Sequence, residues 1–132
     1  MALEPKKNIF SILLVDDDIA MRDLFEKLFR KKQFSLDIAE DGFKAIEKVK
    51  IKDYDVVFID IAMPGMSGYL TFGEIKKISP NLKAVMISGY TEEFIFEASL
   101  KEGAYACLHK PFSLETLFNL IEKIKSGPKD EL

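Results

Sequence analysis

The residues of this sequence best suited to chemistry are aspartates that follow strand-like segments. Asp16–Asp18 directly follow the apolar run Ile9–Val15. Asp60 follows a second apolar run, Val56–Ile59. Carboxylates about 4 Å apart repel by roughly 4 kcal/mol at an effective dielectric near 20, so they must take up protons or hold a cation. Oxygen ligands without histidine or thiolate select a hard ion, and a partly hydrated octahedral site suits Mg²⁺.

A hydroxyl and an ammonium group also stand at strand ends. Ser88 follows the apolar run Ala84–Ile87, and Lys110, next to Pro111, follows Tyr105–Leu108. A carboxylate beside Mg²⁺ and a lysine is suited to attack a phosphoryl group, because the positive charges stabilise the charge on the phosphoryl oxygens. A serine hydroxyl can donate to one of those oxygens. If these residues meet, they predict phosphoryl transfer.

The elements that position these residues alternate between strand and helix patterns. The strand patterns are Ile9–Val15, Phe34–Ile38, Val56–Ile59, Ala84–Ile87 and Tyr105–Leu108. Apolar residues at helical spacing follow each strand, in the segments Met21–Phe29, Phe43–Val49, Tyr69–Ile75, Thr91–Glu102 and Leu114–Ile124. Five such units predict an α/β fold with a parallel sheet covered by helices on both faces. The alternating segment Phe34–Ile38 belongs at a sheet edge, and ligands bind beyond the carboxyl ends of the strands.

Composition excludes several classes of protein. The 132 residues correspond to one domain, and the apolar runs are too short to cross a bilayer. With 19 basic and 22 acidic residues, the net charge of −3 disfavours direct nucleic-acid binding. Cys107 is the single cysteine, so no disulfide forms within the chain. Met1–Asn8 lacks a signal-peptide core, and Lys129–Leu132, although it matches an endoplasmic-reticulum address, is interpreted as a charged tail. We therefore expect a cytoplasmic protein without a membrane partner.

Six motifs in a fixed order carry a family resemblance. In chain order they are Leu13–Asp18, Ala39–Gly42, Asp60–Gly68, Met86–Tyr90, Gly103–Ala104 and Lys110–Phe112. Each is weak alone, but their order and spacing are highly specific. Over Ile9–Lys125 the chain resembles the receiver domain of bacterial two-component response regulators. The resemblance implies a (βα)5 flavodoxin-like, doubly wound parallel sheet with strand order 2-1-3-4-5.

The resemblance also implies a Mg²⁺ site. In the family pattern Asp17 ligates Mg²⁺ directly and Asp16 acts through water. The carboxylate of Asp60 and the backbone carbonyl of Ala62 complete the protein ligands. Asp18 falls at a variable family position, and we expect it to cap the first helix.

By the same resemblance, Asp60 is the phosphoacceptor. It is expected to take a phosphoryl group from the phosphohistidine of a sensor histidine kinase or a histidine phosphotransfer protein. Ser88 is then the switch hydroxyl and Lys110 the partner of the phosphate, with a cis bond between Lys110 and Pro111. The chain is expected to be a signalling phosphoacceptor, limited as an enzyme to its own phosphorylation and dephosphorylation.

The resemblance leaves the organisation of the signalling pathway open. We expect a flexible N-terminus over residues 1–8, the receiver domain over 9–125 and a flexible tail over 126–132, with no output domain in the chain. A downstream protein would bind the face formed by the fourth helix, fifth strand and fifth helix. The chain is either a single-domain regulator or a receiver from a longer protein. The alternative function is a pseudo-receiver, an interaction module without phosphotransfer.

Three further positions carry expectations of their own. Phe94, Ile95 and Phe96 point about 100° apart on a helix, so one docked face cannot bury all three, and we expect Phe94 or Phe96 to be exposed on a docking surface. Cys107 stands where the family usually carries a Tyr or Phe that moves on activation, so either that moving ring is absent or Tyr105 or Tyr90 supplies its bulk. We expect the fifth strand to change little on activation, and the output to rest on the Ser88–Tyr90 loop and the helix that follows it. His109 is interpreted as a solvated loop residue, because a lone histidine does not make a metal site.

Overall fold

The strands and helices alternate without exception in the computed structural model, which describes residues 9–89 and 93–127. The strands are β1 (Phe10–Val15), β2 (Phe34–Ala39), β3 (Val56–Asp60), β4 (Lys83–Ser88) and β5 (Ala106–His109). The helices are α1 (Ile19–Leu28), α2 (Gly42–Ile51), α3 (Gly68–Ile78), α4 (Glu93–Lys101) and α5 (Leu114–Ser126). Within the described ranges, no helix is long and apolar enough to cross a membrane.

All the strands are parallel and lie in the order β2-β1-β3-β4-β5, which confirms the expected topology. The register aligns the carboxyl ends of the central strands. Val15 pairs with Ile59, so the residues that follow them, Asp16 and Asp60, come next to each other. Asp60 in turn pairs with Ile87 of β4. Strand pairing therefore brings residues that are far apart in sequence to one edge.

Each face of the sheet has its own core, because successive side chains of a strand point to opposite faces. One face packs against α2, α3 and α4 through buried residues that include Ala45, Val49, Phe72, Ile75 and Phe96. The other packs against α1 and α5 through Phe25, Phe29, Leu117 and Ile121. Phe25 also contacts Phe58 of β3 edge to face, with ring centroids 5.2 Å apart. Burial on both faces explains why β1, β3 and β4 are continuous apolar runs.

Four helices begin at a side-chain cap, and these caps lie next to the carboxyl ends of the strands. Asp18 accepts a hydrogen bond from the Ala20 amide, as expected, and so begins α1. The other caps are Asp41 for α2, Ser67 for α3 and Ser113 for α5. Each such cap contributes about 1 kcal/mol to stability. The caps set where the loops around the sheet edge end.

At the edge strand β2, three polar side chains form a cluster. Asp37 accepts hydrogen bonds from the Tyr54 hydroxyl at 2.7 Å and the Lys52 ammonium at 2.9 Å. Burial alone would raise the pKa of Asp37, but the two donors outweigh it, so the pKa lies below its ordinary value. The cluster keeps a charged pair over the outermost strand.

Two sequence expectations need correction or completion. The fifth strand was expected at Tyr105–Leu108 but runs from Ala106 to His109, so His109 is a strand residue and not a loop residue. The expected start of the fourth helix at Thr91 falls outside the described residues, as do the outer parts of both termini. The division into a domain and two flexible ends therefore stays a prediction.

The expected exposure of one phenylalanine on α4 is confirmed, since Phe94 is 73% exposed and Phe96 is 5% exposed.

Gly68, the first residue of α3, lies against the end of β3. Its amide donates to the Ile61 carbonyl at 2.9 Å. A Cβ atom on Gly68 would lie 2.1 Å from the carbonyl oxygen of Asp60 and 2.7 Å from the Ile61 Cα. Only glycine allows this close approach of helix and strand. At Gly73, five residues further along the same helix, a Cβ atom would meet nothing within 4 Å.

This contrast predicts opposite effects for two alanine substitutions in α3. Gly68→Ala should destabilise the protein by about 2–4 kcal/mol, because backbone must move to admit the methyl group. Gly73→Ala should stabilise it by up to about 1 kcal/mol, because alanine favours the helix. Urea unfolding of both variants and the wild type measures the difference. A Gly68→Ala protein as stable as Gly73→Ala would contradict the close approach.

Candidate functional site

An acidic cluster of Asp16, Asp17 and Asp60 lies at the carboxyl edge of the sheet. One carboxylate oxygen from each residue lies within 4.8 Å of the others. Asp16 is fully buried and Asp60 is 5% exposed, whereas Asp17 faces solvent. The cluster is therefore closed on the side of the sheet and open on the side of Asp17.

Asp16 is the most deeply buried member of the acidic cluster. Its Oδ1 accepts a hydrogen bond from the Asp18 amide at 2.9 Å. Its Oδ2 is buried and has no hydrogen-bond partner among the described residues. Burial raises the pKa of Asp16, and the Asp18 amide and Lys110 oppose that rise. A buried carboxylate oxygen without a hydrogen bond is costly, so this atom favours positive charge close by.

Lys110 brings one positive charge to the acidic cluster. Its ammonium lies 3.5 Å from Asp16 Oδ2 and 3.9 Å from Asp60 Oδ1. Its amide donates to the Ser88 carbonyl at 2.7 Å, which ties the end of β5 to β4. The bond from Lys110 to Pro111 is cis, as expected. One ammonium does not neutralise three carboxylates.

The charge imbalance appears in the acidity of Asp60. Burial raises the pKa of Asp60 to about 7, and the nearby Asp16 carboxylate adds to the rise. Lys110 and the amide of Ala62, 3.4 Å from Asp60 Oδ1, oppose it. The raised pKa favours the protonated, neutral form of this carboxyl group unless further positive charge is supplied.

These observations fit a hard divalent cation. The acidic cluster offers only oxygen donors, as Mg²⁺ prefers. Asp16 Oδ2 is unpartnered by any hydrogen bond within residues 9–89 and 93–127, and the solvent-facing side at Asp17 leaves room for coordinated water. The residues present therefore match the donor set that the sequence predicted.

The remaining residues predicted from sequence lie at the same edge. Ser88 is the last residue of β4, is 1% exposed and directly follows the strand partner of Asp60, Ile87. Ala62 is two residues beyond Asp60, with its amide directed at the Asp60 carboxylate. All six predicted residues are thus brought to one edge of the sheet, and their chemical roles stay predictions.

Sequence reasoning missed two features around this edge. Gly68 lies in the predicted motif after Asp60 but received no role, although its lack of a side chain lets α3 approach the end of β3. His109 is exposed but partnered, with its ring 4.8 Å from the Phe96 ring and its Nε2 3.8 Å from the Glu93 carboxylate. No sequence signal could have shown this, because pairing with Ser88 of β4 is what places His109 in the strand.

Comparison with known proteins points to one family. A family model described as the response regulator receiver domain matches residues 12–122. The CpxR homolog of Haemophilus influenzae, a transcriptional regulatory protein, is 34% identical over 113 residues, which cover 86% of this chain and 49% of that protein. The chain therefore spans about half the length of that regulator. Sporulation initiation phosphotransferase F of Bacillus subtilis is 29% identical over 112 residues, covering 85% of this chain and 90% of that protein.

A solved structure agrees with this match. The receiver domain protein from Methanospirillum hungatei, described as CheY-like, superposes with a TM-score of 0.83 at 26% identity. The superposition covers 89% of this chain and 94% of that one. The likeness extends over nearly the whole of both chains.

The raised pKa of Asp60 predicts a pH-dependent stability difference for Asp60→Asn. The folded protein binds the Asp60 proton more tightly than the unfolded chain does, so wild-type stability falls as pH rises from about 4 to about 7. The Asn variant lacks this loss. It should be more stable than wild type by roughly 2–4 kcal/mol at pH 8 in EDTA, and by about half as much at pH 5.5. Urea unfolding at the two pH values measures both differences, and a pH-independent difference would contradict the prediction.

Proposed function

Because this chain belongs to the family of response regulator receiver domains, we propose that Asp60 takes a phosphoryl group from a phosphohistidine. The donor is a sensor histidine kinase or a histidine phosphotransfer protein, and the phosphorylated chain signals by a change of conformation. The observation that carries this proposal is the meeting of three carboxylates and the Lys110 ammonium at the carboxyl edge of the sheet.

The transfer itself needs little covalent chemistry from the protein. An Asp60 carboxylate oxygen attacks phosphorus, the bond from phosphorus to the donor imidazole breaks, and an acyl phosphate forms on Asp60. The Lys110 ammonium, which lies 3.9 Å from Asp60 Oδ1, then pairs with one phosphoryl oxygen. The Ser88 hydroxyl donates a hydrogen bond to another. Positioning and charge neutralisation supply most of the catalysis in such transfers.

Asp17, Asp16, Asp60 and the Ala62 carbonyl are proposed to hold Mg²⁺, with Asp16 acting through water. When bound, the ion supplies the positive charge that lets a phosphoryl group approach the carboxylates. Asp16 and Asp60 are buried, so their charges are poorly screened by solvent and depend most on this neutralisation.

The phosphorylated form is proposed to persist long enough to signal. Ala62, two residues beyond Asp60, has no side-chain group that could activate a water molecule. The chain is thus proposed to catalyse only its own phosphorylation and a slow dephosphorylation, and to act as a signalling protein of the cytoplasm.

The downstream partner is proposed to bind the face of α4, β5 and α5. Phe94 on α4 is 73% exposed, Leu100 47% and Tyr105, just before β5, 36%. Exposed apolar side chains on this face are available for contact with another protein. The relatives include a transcriptional regulatory protein and a phosphotransferase, so this partner is either an output domain or a further phosphotransfer protein.

The proposal predicts that phosphorylation requires both Asp60 and a divalent cation. After incubation with acetyl phosphate and Mg²⁺, a Phos-tag gel should show a shifted band for wild type and none for Asp60→Asn. EDTA should remove the wild-type band, because the carboxylates then repel the incoming dianion. Undiminished labelling of Asp60→Asn would exclude Asp60 as the acceptor, and an unlabelled wild type would favour a pseudo-receiver.

Two neighbouring aspartates provide the matched control. Asp17→Asn should weaken Mg²⁺ binding at least about tenfold, since a charged ligand is lost. Asp18→Asn should stay within about twofold of wild type, because asparagine caps α1 as well as aspartate does. Titration calorimetry with Mg²⁺ measures both affinities, and equal losses would show that only local charge matters.

Cys107 yields a separate prediction about the route of the conformational change. Its thiol lies 3.9 Å from the Phe96 carbonyl, and burial, aided by the Glu93 charge, raises its pKa to about 11. Alkylation at pH 7.5 should therefore be about 100-fold slower than for an ordinary thiol. Beryllofluoride with Mg²⁺ should change this rate less than about threefold, because a thiol is too small to act as the moving ring. Hydrogen exchange over Ser88–Gly103 should change instead, and the reverse pattern would refute the prediction.

A further inference from the structure

One side-chain hydrogen bond joins α3 to the end of α4. The Tyr69 hydroxyl donates to Glu102 Oε2 at 2.5 Å, across a sequence separation of 33 residues. The Glu102 amide is bonded to the Ala98 carbonyl at 3.0 Å, so Glu102 belongs to the last turn of α4. The hydrogen bond to this carboxylate raises the pKa of Tyr69, so the proton stays on the phenol at physiological pH. We call this hydrogen bond the Tyr69–Glu102 tether.

The α3 end of the tether is rigidly placed. Tyr69 directly follows Gly68, whose backbone is packed against the carbonyl of Asp60 and whose amide is bonded to Ile61. Helix α3 therefore cannot slide away from β3 without losing this close contact. The tether thus runs from the strand that carries the acceptor to the far end of α4.

A second contact lies beside the tether. A Cβ atom on Gly103 would lie 2.5 Å from Lys76 Nζ, so the ammonium of this α3 residue lies against the turn after α4. A positive charge there stabilises the carbonyl end of a helix. At the other end of α4, the contacts of Glu93 and Phe96 go to His109 of β5. Helix α4 is therefore held at its two ends by different elements.

The packing of α4 makes a weak tether matter. Within the helix only Phe96 and Ser99 are buried. The Ser99 hydroxyl is buried without a hydrogen-bond partner in the described part of the chain, which costs free energy rather than supplying it. When so little apolar surface of a helix is buried, its alternative positions differ little in free energy. One hydrogen bond can then change which position is favoured.

We propose that the Tyr69–Glu102 tether holds α4 in its resting position and thereby opposes phosphorylation of Asp60. Because α3 is held against β3, movement of the end of α4 away from Tyr69 lengthens a bond that starts at 2.5 Å, and hydrogen bonds weaken beyond about 3.2 Å. Suppose that the contact forms only in the resting protein. Phosphorylation then weakens the contact, and by linkage the contact lowers the affinity of the protein for the phosphoryl group by the same factor. This regulation rests on the proposed function.

The test removes the tether from either side without changing the packing. Tyr69→Phe keeps the ring, Glu102→Met keeps the side-chain length but offers no oxygen acceptor to the Tyr69 hydroxyl, and the double variant completes a cycle. Glu74→Gln is the control, since it breaks the exposed Lys77–Glu74 pair within α3 without reaching α4. In the unphosphorylated protein, hydrogen exchange of α4 should rise about two- to fivefold in each tether variant. Beryllofluoride should bind more tightly by a similar factor, with no further gain in the double variant.

The outcomes separate the tether from the proposed function. Unchanged exchange in α4 for both single variants would overturn the tether. Faster exchange with unchanged or weaker beryllofluoride affinity would overturn its inhibitory role. A wild-type protein that binds no beryllofluoride with Mg²⁺ refutes the proposed function, and hydrogen exchange still decides whether the tether holds α4.

Discussion

The structure depends on the mutual repulsion of carboxylates that the fold buries at one edge of the sheet. Asp16 is fully buried and Asp60 is only 5% exposed, and Lys110 is shared between them at 3.5 and 3.9 Å. Strand pairing places Asp16 and Asp60 together, so the protein cannot relieve the repulsion by moving them apart without breaking the sheet. The excess negative charge at this edge therefore attracts any positive group that enters the site.

The surrounding elements keep this edge fixed. The helix caps set the loop ends, and Gly68 holds α3 against the end of β3 by direct backbone contact. The bond from the Lys110 amide to the Ser88 carbonyl holds β5 against β4. The acidic residues and the nearest helix therefore share one closely packed frame, which leaves little room for local relaxation around them.

Much of this arrangement could be predicted from sequence, because it follows from the periodicity of apolar residues and from the order of the elements along the chain. The alternation in Phe34–Ile38 correctly predicts an edge strand, and the apolar runs before Asp16 and Asp60 correctly predict central strands. The relative closeness of Lys110 to Asp16 could not be predicted, since it depends on the packing of a long side chain. Nor could the bond from Tyr69 to Glu102, because polar surface residues 33 positions apart leave no periodic signal.

His109 shows where the pattern misleads. A polar residue after an apolar run is typical of a loop, yet the ladder to Ser88 extends β5 by one residue and the ring packs on Phe96. The strand end is decided by pairing with a neighbour and not by the hydropathy of the strand itself.

The two outer strands of the sheet differ in how they avoid pairing with other molecules. On β2, the Asp37 carboxylate and the Lys52 ammonium lie over the strand with the Tyr54 hydroxyl. An incoming strand would have to strip water from this ion pair, which makes edge-to-edge association costly. On the opposite side β5 has only 4 residues, too few to template a stable intermolecular ladder. A protein protected in both ways is therefore disfavoured from self-association through the edges of its sheet.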